Sequence, residues 1–178
     1  LAGYAASTRI ESICIVPMIS TGNAMSTFTA QNMGAGKIDR VKEGYRMCYV
    51  IVLTAGAVLC VMYQLAGGAF VSLFLDSGSS EAYSVGLSYV KFLSFFYSFI
   101  GLKASTDGLL RGAGDVTAFT VANLVNLAIR VSVTNLFAPI YGIQVAWMAV
   151  PLGWAANYVI SFGWYLTGKW KKVRVIKK

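Results

Sequence analysis

The sequence predicts an all-α fold, a polytopic bundle of membrane-spanning helices. Hydrophobic residues make up 57% of the 178 residues and charged residues only 12%, about half the charged share of a soluble globular protein. So few charges cannot cover a surface that faces water. Five apolar stretches, each near the roughly 20 residues that cross a bilayer core, account for most of the chain. They are residues 4–33, 45–75, 83–110, 116–137 and 143–166.

Basic residues between these stretches predict which connections lie in the cytoplasm. Lysine and arginine occur in the connections at 31–46 and 103–115 and in the last ten residues, 169–178. The connections at 76–82 and 138–142 contain neither. Because loops rich in lysine and arginine stay in the cytoplasm, the basic segments are predicted to lie inside. The chain is then predicted to start outside the cell.

This outside start indicates how the chain is organised. Its first residues run straight into a span and have neither the basic region nor the cleavage site of a signal peptide. We therefore expect a further helix before residue 1 and interpret the chain as a fragment. Residues 1–168 are predicted to form part of a transmembrane lobe, and residues 169–178 a basic cytoplasmic tail.

The first and fourth stretches contain polar side chains that do not belong in lipid. Amides are costly in hydrocarbon, so these side chains must face a protein interior or a wet cavity. Asn123 and Asn126 are three residues apart and share one helix face. The pattern fits a transporter cavity and also fits hydrogen-bonded helix packing. The best candidates to line a cavity are Asn23, Gln31, Asn123 and Asn126.

Three charged residues are predicted at a similar depth in three different spans. At 1.5 Å per residue, Glu11, Lys91 and Arg130 fall roughly 10–12 Å below the outer edge. Each is costly alone at that depth, so the sequence predicts a shared layer in which Glu11 pairs with one of the two cations. Independent snorkelling of both cations to the headgroups is the alternative. Glu11 is the candidate for coupling to a cation or a proton.

The motif QNMGAGKIDR, residues 31–40, looks at first like a phosphate-binding loop. That loop has the pattern G-x-x-x-x-G-K-[ST] between a strand and a helix. Here Gln31 replaces the first glycine, Ile38 replaces the serine or threonine, and a membrane span precedes the motif. A second GAG run at residues 112–114 also follows a span. Because glycine adopts the left-handed caps that end helices, both runs are predicted to end a helix at the cytoplasmic surface.

The residue inventory predicts neither an enzyme nor a nucleic-acid-binding protein. The net charge of +8 comes from 15 basic and 7 acidic residues, and the charges lie between spans rather than on a soluble module. The sequence has no histidine, and Cys14, Cys48 and Cys60 do not have the spacing of metal ligands. No catalytic residue, metal or cofactor is therefore expected.

The two glycine motifs resemble the paired signatures of the MATE family of multidrug and toxin extrusion transporters. QNMGAGKIDRV and LLRGAGD are similar to the family patterns Q-N-x-G-A-G-x-x-x-R and L-R-G-A-G-D, and TRIESICIVPM resembles its R-I-E followed by a proline. The resemblance covers residues 3–172. It implies five helices of a six-helix C-terminal lobe, with the seventh helix and the N-terminal lobe of a twelve-helix transporter missing.

The resemblance also implies a function. Organic, often cationic, compounds would leave the cell in exchange for Na+ or H+ as two lobes rock around a central cavity. The bilayer of the cell membrane, small organic substrates and the missing lobe are the implied partners. Some members carry an acid midway along the tenth helix, where residues 98–101 have none. Coupling would then use Glu11 or acids of the missing lobe.

Two other functions stay open beside this one. A lipid-linked sugar flippase of the same superfamily needs a strongly cationic cavity for pyrophosphate, to which Arg9, Lys91 and Arg130 would contribute. A non-transporting structural membrane subunit with five spans is the other alternative.

Overall fold

The structure is a computed structural model that describes residues 2–75, 80–142 and 144–172. In these residues it contains helices and no strand, which confirms the predicted all-α fold. The helices follow one another as α1 (Ala2–Gly34), α2 (Ile38–Ser72), α3 (Ser80–Ser94), α4 (Tyr97–Gly112), α5 (Val116–Tyr141) and α6 (Gln144–Thr167), with a final 3-10 turn at Lys169–Lys172.

The described helices have the length and composition of a membrane bundle. α2, α5 and residues Val145–Thr167 of α6 are each long and apolar enough to cross a bilayer, and α3 with α4 supplies a fourth span if the pair counts as one. α1 has 33 residues and is long enough to cross a bilayer. Its polar side chains make it less apolar than these spans. Three or four of the five predicted stretches thus pass as apolar spans by length and composition, and the first forms a more polar helix.

The third predicted span is broken into two helices. Residues 83–110 were expected to form one helix, but α3 and α4 meet at a bend of 51°. The Ser94 hydroxyl donates to the carbonyl oxygen of Lys91 at 2.7 Å, and Gln64 Nε2 on α2 donates to the same oxygen at 2.9 Å. These side chains take up an oxygen that an unbroken helix would use for its own backbone.

Both GAG motifs end a helix, as predicted. Gly36 and Gly114 have φ angles of 70° and 83°, in the left-handed region that glycine adopts without strain. At the first motif the Lys37 N–H donates to the Asn32 carbonyl at 2.8 Å, and the second motif makes the equivalent bond at 2.9 Å. These bonds are those of a Schellman motif. Each connection is therefore only three residues long.

Small residues let the backbones of α1 and α4 touch. A Cβ atom added at Gly22 would lie 2.5 Å from the carbonyl oxygen of Ala104, and one at Gly108 would overlap the carbonyl oxygen of Gly22. A Cβ at Gly112 would overlap that of Ser26. Close approach through small residues is a common way to fix two membrane helices in register. It places polar side chains of α1 and α4 around one space.

The turn after α6 packs back onto the bundle. Trp170 is fully buried, and its indole N–H donates to the Tyr165 carbonyl oxygen at 3.1 Å. The two rings stack with their centroids 5.6 Å apart. Residues 169–172 of the predicted tail are therefore folded against the helices, and residues 173–178 lie outside the described part of the chain.

Candidate functional site

A polar cleft of about 190 Å³ lies between α1, α4 and α5. Its walls depend on the backbone contact between Gly22 and Gly108, which holds the first two helices at a short distance. Charged side chains are costly against lipid, so a cleft with charges in its wall must face water or protein. The lining residues are Ile19, Gly22, Asn23, Lys103, Ala104, Asp107, Gly108, Arg111, Phe119 and Asn123.

Asp107 is the centre of a hydrogen-bonded network in this cleft. Its side chain is 6% exposed, and its Oδ2 lies 2.9 Å from Lys103 Nζ. Asn123 Nδ2 donates to the same oxygen at 3.2 Å, and Ser161 Oγ donates to Oδ1 at 2.7 Å. α4, α5 and α6 thus each supply a donor to one carboxylate. Such donors offset the cost of taking a charge out of water.

Asn123 connects the two charges of this pair. Lys103 and Asp107 are four residues apart on α4 and therefore lie on the same helix face. Lys103 Nζ also donates to Asn123 Oδ1 at 3.1 Å, while Asn123 Nδ2 donates to the Phe119 carbonyl oxygen at 2.8 Å as well as to Asp107. The amide oxygen thus faces the ammonium and the amide nitrogen faces acceptors, the orientation in which both ends of the amide have partners.

Arg111 forms the end of the cleft, in the last turn of α4. Its Nη2 donates to Asn23 Oδ1 at 2.7 Å, and its Nε donates to Ser26 Oγ at 3.4 Å. Its guanidinium carbon lies 5.7 Å from the ring centroid of Phe119, within the range of a cation–π contact. The side chain is therefore held from α1 on one side and α5 on the other.

Two of the four predicted cavity residues meet in this cleft, namely Asn23 and Asn123. Asn126 lies one turn further along α5 and is buried against α6, where its Oδ1 adjoins Gly153 and has no partner among the described residues. Gln31 is exposed near the end of α1, away from the lining. That these side chains contact a substrate stays a prediction.

The ion pair predicted for Glu11 does not form, since no lysine or arginine of the described chain lies within pairing distance of it. Its Oε2 instead accepts a hydrogen bond from the Tyr89 hydroxyl at 2.7 Å. Tyr89 and Lys91 are two residues apart and point to different sides of α3. Lys91 runs along Gly67 of α2, with its Cε 3.8 Å from a Cβ added there. A coupling role for Glu11, Lys91 and Arg130 stays a prediction.

Lys103 and Asp107 were not predicted as site residues, because they lie where the predicted span 83–110 overlaps residues 103–115, which were placed in the cytoplasm by their charge. α4 continues to Gly112, and the connection that follows it has three residues. The small and polar run KASTDG favours a loop by composition, but its glycine packs against α1. The lysine and aspartate four residues apart were the available signal of a helix face.

The fold and this site define the class of protein to which the chain belongs. The chain is a helical integral membrane protein whose bundle holds a buried ion pair beside a polar cleft. The MatE family model matches residues 1–150, and the chain belongs to that family. This match confirms the resemblance that the two GAG motifs indicate.

Three bacterial proteins show how much of a family member the chain represents. It is 28% identical over 176 residues to the probable multidrug resistance protein YpnP of Bacillus subtilis, a match covering 98% of the chain and 39% of that protein. It is 24% identical to the probable multidrug resistance protein YoeA of the same organism and 20% identical to the probable multidrug resistance protein NorM of Thermotoga maritima. Each of these two matches covers 99% of the chain and 38% of the relative. The chain thus spans well under half the length of these relatives. No solved structure gives a significant match.

Proposed function

We propose that the chain is part of a multidrug exporter, a secondary active antiporter that removes small organic compounds from the cell. The match of residues 1–150 to the MatE family carries this proposal, and the names of the three relatives support it. The cleft supplies a physical basis. An ion pair beside a polar cleft is costly among membrane helices unless water or a polar ligand reaches the cleft, as transport requires.

Export is proposed to be driven by inward movement of Na+ or H+. Glu11 is the candidate coupling residue, because its carboxylate accepts from Tyr89 and is not neutralised by an ion pair within the described chain. Asp107, by contrast, already has Lys103 beside it. Lys91 and Arg130 complete the proposed outer layer with Glu11.

The proposed location is the plasma membrane, with the basic C-terminal segment in the cytoplasm. Both short, glycine-capped connections lie at helix ends near basic residues such as Lys37 and Arg111, as the positive-inside rule requires of cytoplasmic ends. Alternating access needs a second body against which this lobe moves. An N-terminal lobe of the same transporter, the bilayer and small organic substrates are therefore the proposed partners.

Drug susceptibility and vesicle transport test this function. In a host without its own efflux pumps, the complete transporter that contains this chain is expected to raise resistance to several unrelated dyes and antibiotics. In inverted vesicles, a proton or Na+ gradient should drive dye accumulation, and Glu11→Gln should abolish that dependence. Glu43→Gln, an exposed acid on α2, is the matched control and should behave as the unchanged protein.

Two different results would contradict the proposal that the transporter exports drugs. A well-expressed transporter that changes neither resistance nor gradient-driven uptake would contradict the proposal. Rescue of a strain that lacks a lipid-linked sugar flippase, without any drug resistance, would instead favour the flippase.

A further inference from the structure

We propose that the cleft between α1, α4 and α5 binds the acidic group of an organic substrate, a carboxylate or a similar oxygen-bearing anion. This inference rests on the proposed function and specifies the chemistry of one substrate group. It follows from the charges in the cleft, from the donors left without partners and from the size of the space.

The charges of the cleft do not balance. Among its described lining residues, Lys103 and Arg111 are cationic and Asp107 is the acid. Asp107 is paired with Lys103, whereas no described carboxylate lies within ion-pair distance of Arg111. One positive charge therefore faces the cleft without a counter-charge, and an anionic ligand would supply it.

The unused hydrogen-bond donors of the cleft also favour an anionic ligand. A guanidinium has five N–H donors, and the described residues occupy two of those on Arg111, through Asn23 and Ser26. The Lys103 ammonium has three donors and uses two, on Asp107 and Asn123. The cleft thus offers unused donors on two cations. Carboxylates and phosphates are the groups that a guanidinium fork matches best.

An organic cation fits this cleft poorly. Both oxygens of Asp107 already accept hydrogen bonds, from Lys103, Asn123 and Ser161. A cationic substrate would have to displace donors from that carboxylate while it lay close to Arg111. Repulsion between like charges and the loss of existing hydrogen bonds both oppose this binding mode.

The geometry favours a small acidic group attached to a ring. Arg111 is held in place by Asn23 and by the ring of Phe119, so little freedom is lost when an anion binds. Ile19 and Phe119 form an apolar wall in the same cleft. The volume of about 190 Å³ is below the roughly 300 Å³ at which complete small-molecule pockets begin. The cleft is therefore a subsite for one end of a substrate.

Two dyes that differ in one group test the inference. Rhodamine B has a free carboxylate, and its ethyl ester has the same ring system without that acid. Fluorescence anisotropy with the purified complete transporter is expected to show about tenfold tighter binding of rhodamine B, the effect of a hydrogen bond to a charged group. Arg111→Gln should lower the affinity for rhodamine B to that for the ester and leave the ester unchanged.

Two further variants allow the inference to be tested even if Arg111→Gln does not fold. Arg111→Lys retains the charge but loses the guanidinium fork, and should keep only part of the preference for the acid. Arg40→Gln removes an exposed arginine outside the cleft and should leave both affinities unchanged. A preference for the acid that neither Arg111 variant reduces would overturn the assignment.

The remaining outcomes separate this inference from the proposed function. Equal affinity for the two dyes would overturn the inference and leave drug export standing. Failure to bind either dye would overturn the inference, and the proposed function would fall with it only if the transporter also changed neither resistance nor gradient-driven uptake. Displacement of rhodamine B, but not of the ester, by phosphatidylglycerol would show that the cleft holds a lipid headgroup, which would overturn the substrate assignment.

Discussion

At the scale of single residues, Asp107 is the side chain on which the cleft most depends. It holds α4, α5 and α6 together through Lys103, Asn123 and Ser161. The pair with Lys103 is largely withdrawn from solvent, with side chains 17% and 6% exposed for the lysine and the aspartate. A buried pair of this kind adds little when complete, but removal of one partner leaves the other charge without compensation.

This asymmetry gives a prediction about stability. Asp107→Ala is expected to lower the free energy of unfolding by about 3–5 kcal/mol, because the Lys103 charge stays buried alone. The double variant Lys103→Met with Asp107→Leu removes both charges and should recover most of that loss. Thermal or denaturant unfolding of the complete transporter in detergent measures both.

An exposed ion pair provides the control for this experiment. Asp39→Ala removes the partner of Lys42 on the surface, and surface pairs contribute little, so stability should hardly change. If the double variant is as unstable as Asp107→Ala, uncompensated charge is not the cause.

The sequence predicted part of this site. Asn23 and Asn123 were expected in a cavity because amides inside spans need polar surroundings, and the structure places both in the cleft. Ser161 was not expected, because it follows Asp107 by 54 residues and only the packing of α6 on α4 brings them together. Glu11 was expected to meet a cation and meets Tyr89 instead, since the rotation of α3 cannot be derived from depth alone.

At the scale of helices, the contact between α1 and α4 determines the shape of the cleft. It depends on Gly108, where any larger side chain would enter the backbone of α1 at Gly22. Helices in lipid are held together mainly by such close packing, because the lipid tails are as apolar as the side chains.

Gly108→Ala is therefore expected to separate α1 from α4. Overpacking of this kind costs about 1–3 kcal/mol, and the wall of the cleft moves with the helix. The unfolding temperature in detergent should fall, and binding of rhodamine B should weaken. Gly163→Ala is the matched control, since a Cβ there meets no atom within 4 Å. Equal behaviour of the two variants would show that the contact is unimportant.

The sequence predicts where these helices end, but it does not predict the bend between α3 and α4. Gly36 and Gly114 were predicted to cap helices because the left-handed conformation is a local property of glycine. The bend between α3 and α4 was not predicted, since no proline marks it. It involves Gln64, which lies 27 residues before the carbonyl of Lys91 that it binds.

At the scale of the whole molecule, α1 has a polar face that the described helices leave largely exposed. Four of its polar residues recur every three or four positions and are exposed: Ser20, Asn23, Thr27 and Gln31. Residues with this spacing form one stripe along a helix. Exposure of such a polar stripe to lipid is energetically costly. We therefore expect a wet cavity or another part of the transporter to lie against it.

The family and the helical bundle were both predictable from the sequence, because hydropathy and the two GAG motifs are local features. The surroundings of α1 were not, because hydropathy alone does not identify what covers a polar helix. The polar stripe of α1 fits the proposed arrangement, in which these helices work against a second body of the transporter.

Expression of the 178-residue chain alone tests that expectation. It should reach the membrane of a pump-deficient host without raising resistance to dyes or antibiotics, because alternating access requires two bodies that move against each other. The complete transporter, matched for membrane abundance by immunoblot, should raise resistance in the same host. Resistance from the 178-residue chain at equal abundance would mean that copies of this lobe assemble into a working transporter. The stripe on α1 would then face a second copy of the same chain, and Thr27→Leu, within that stripe and outside the cleft, should remove the resistance.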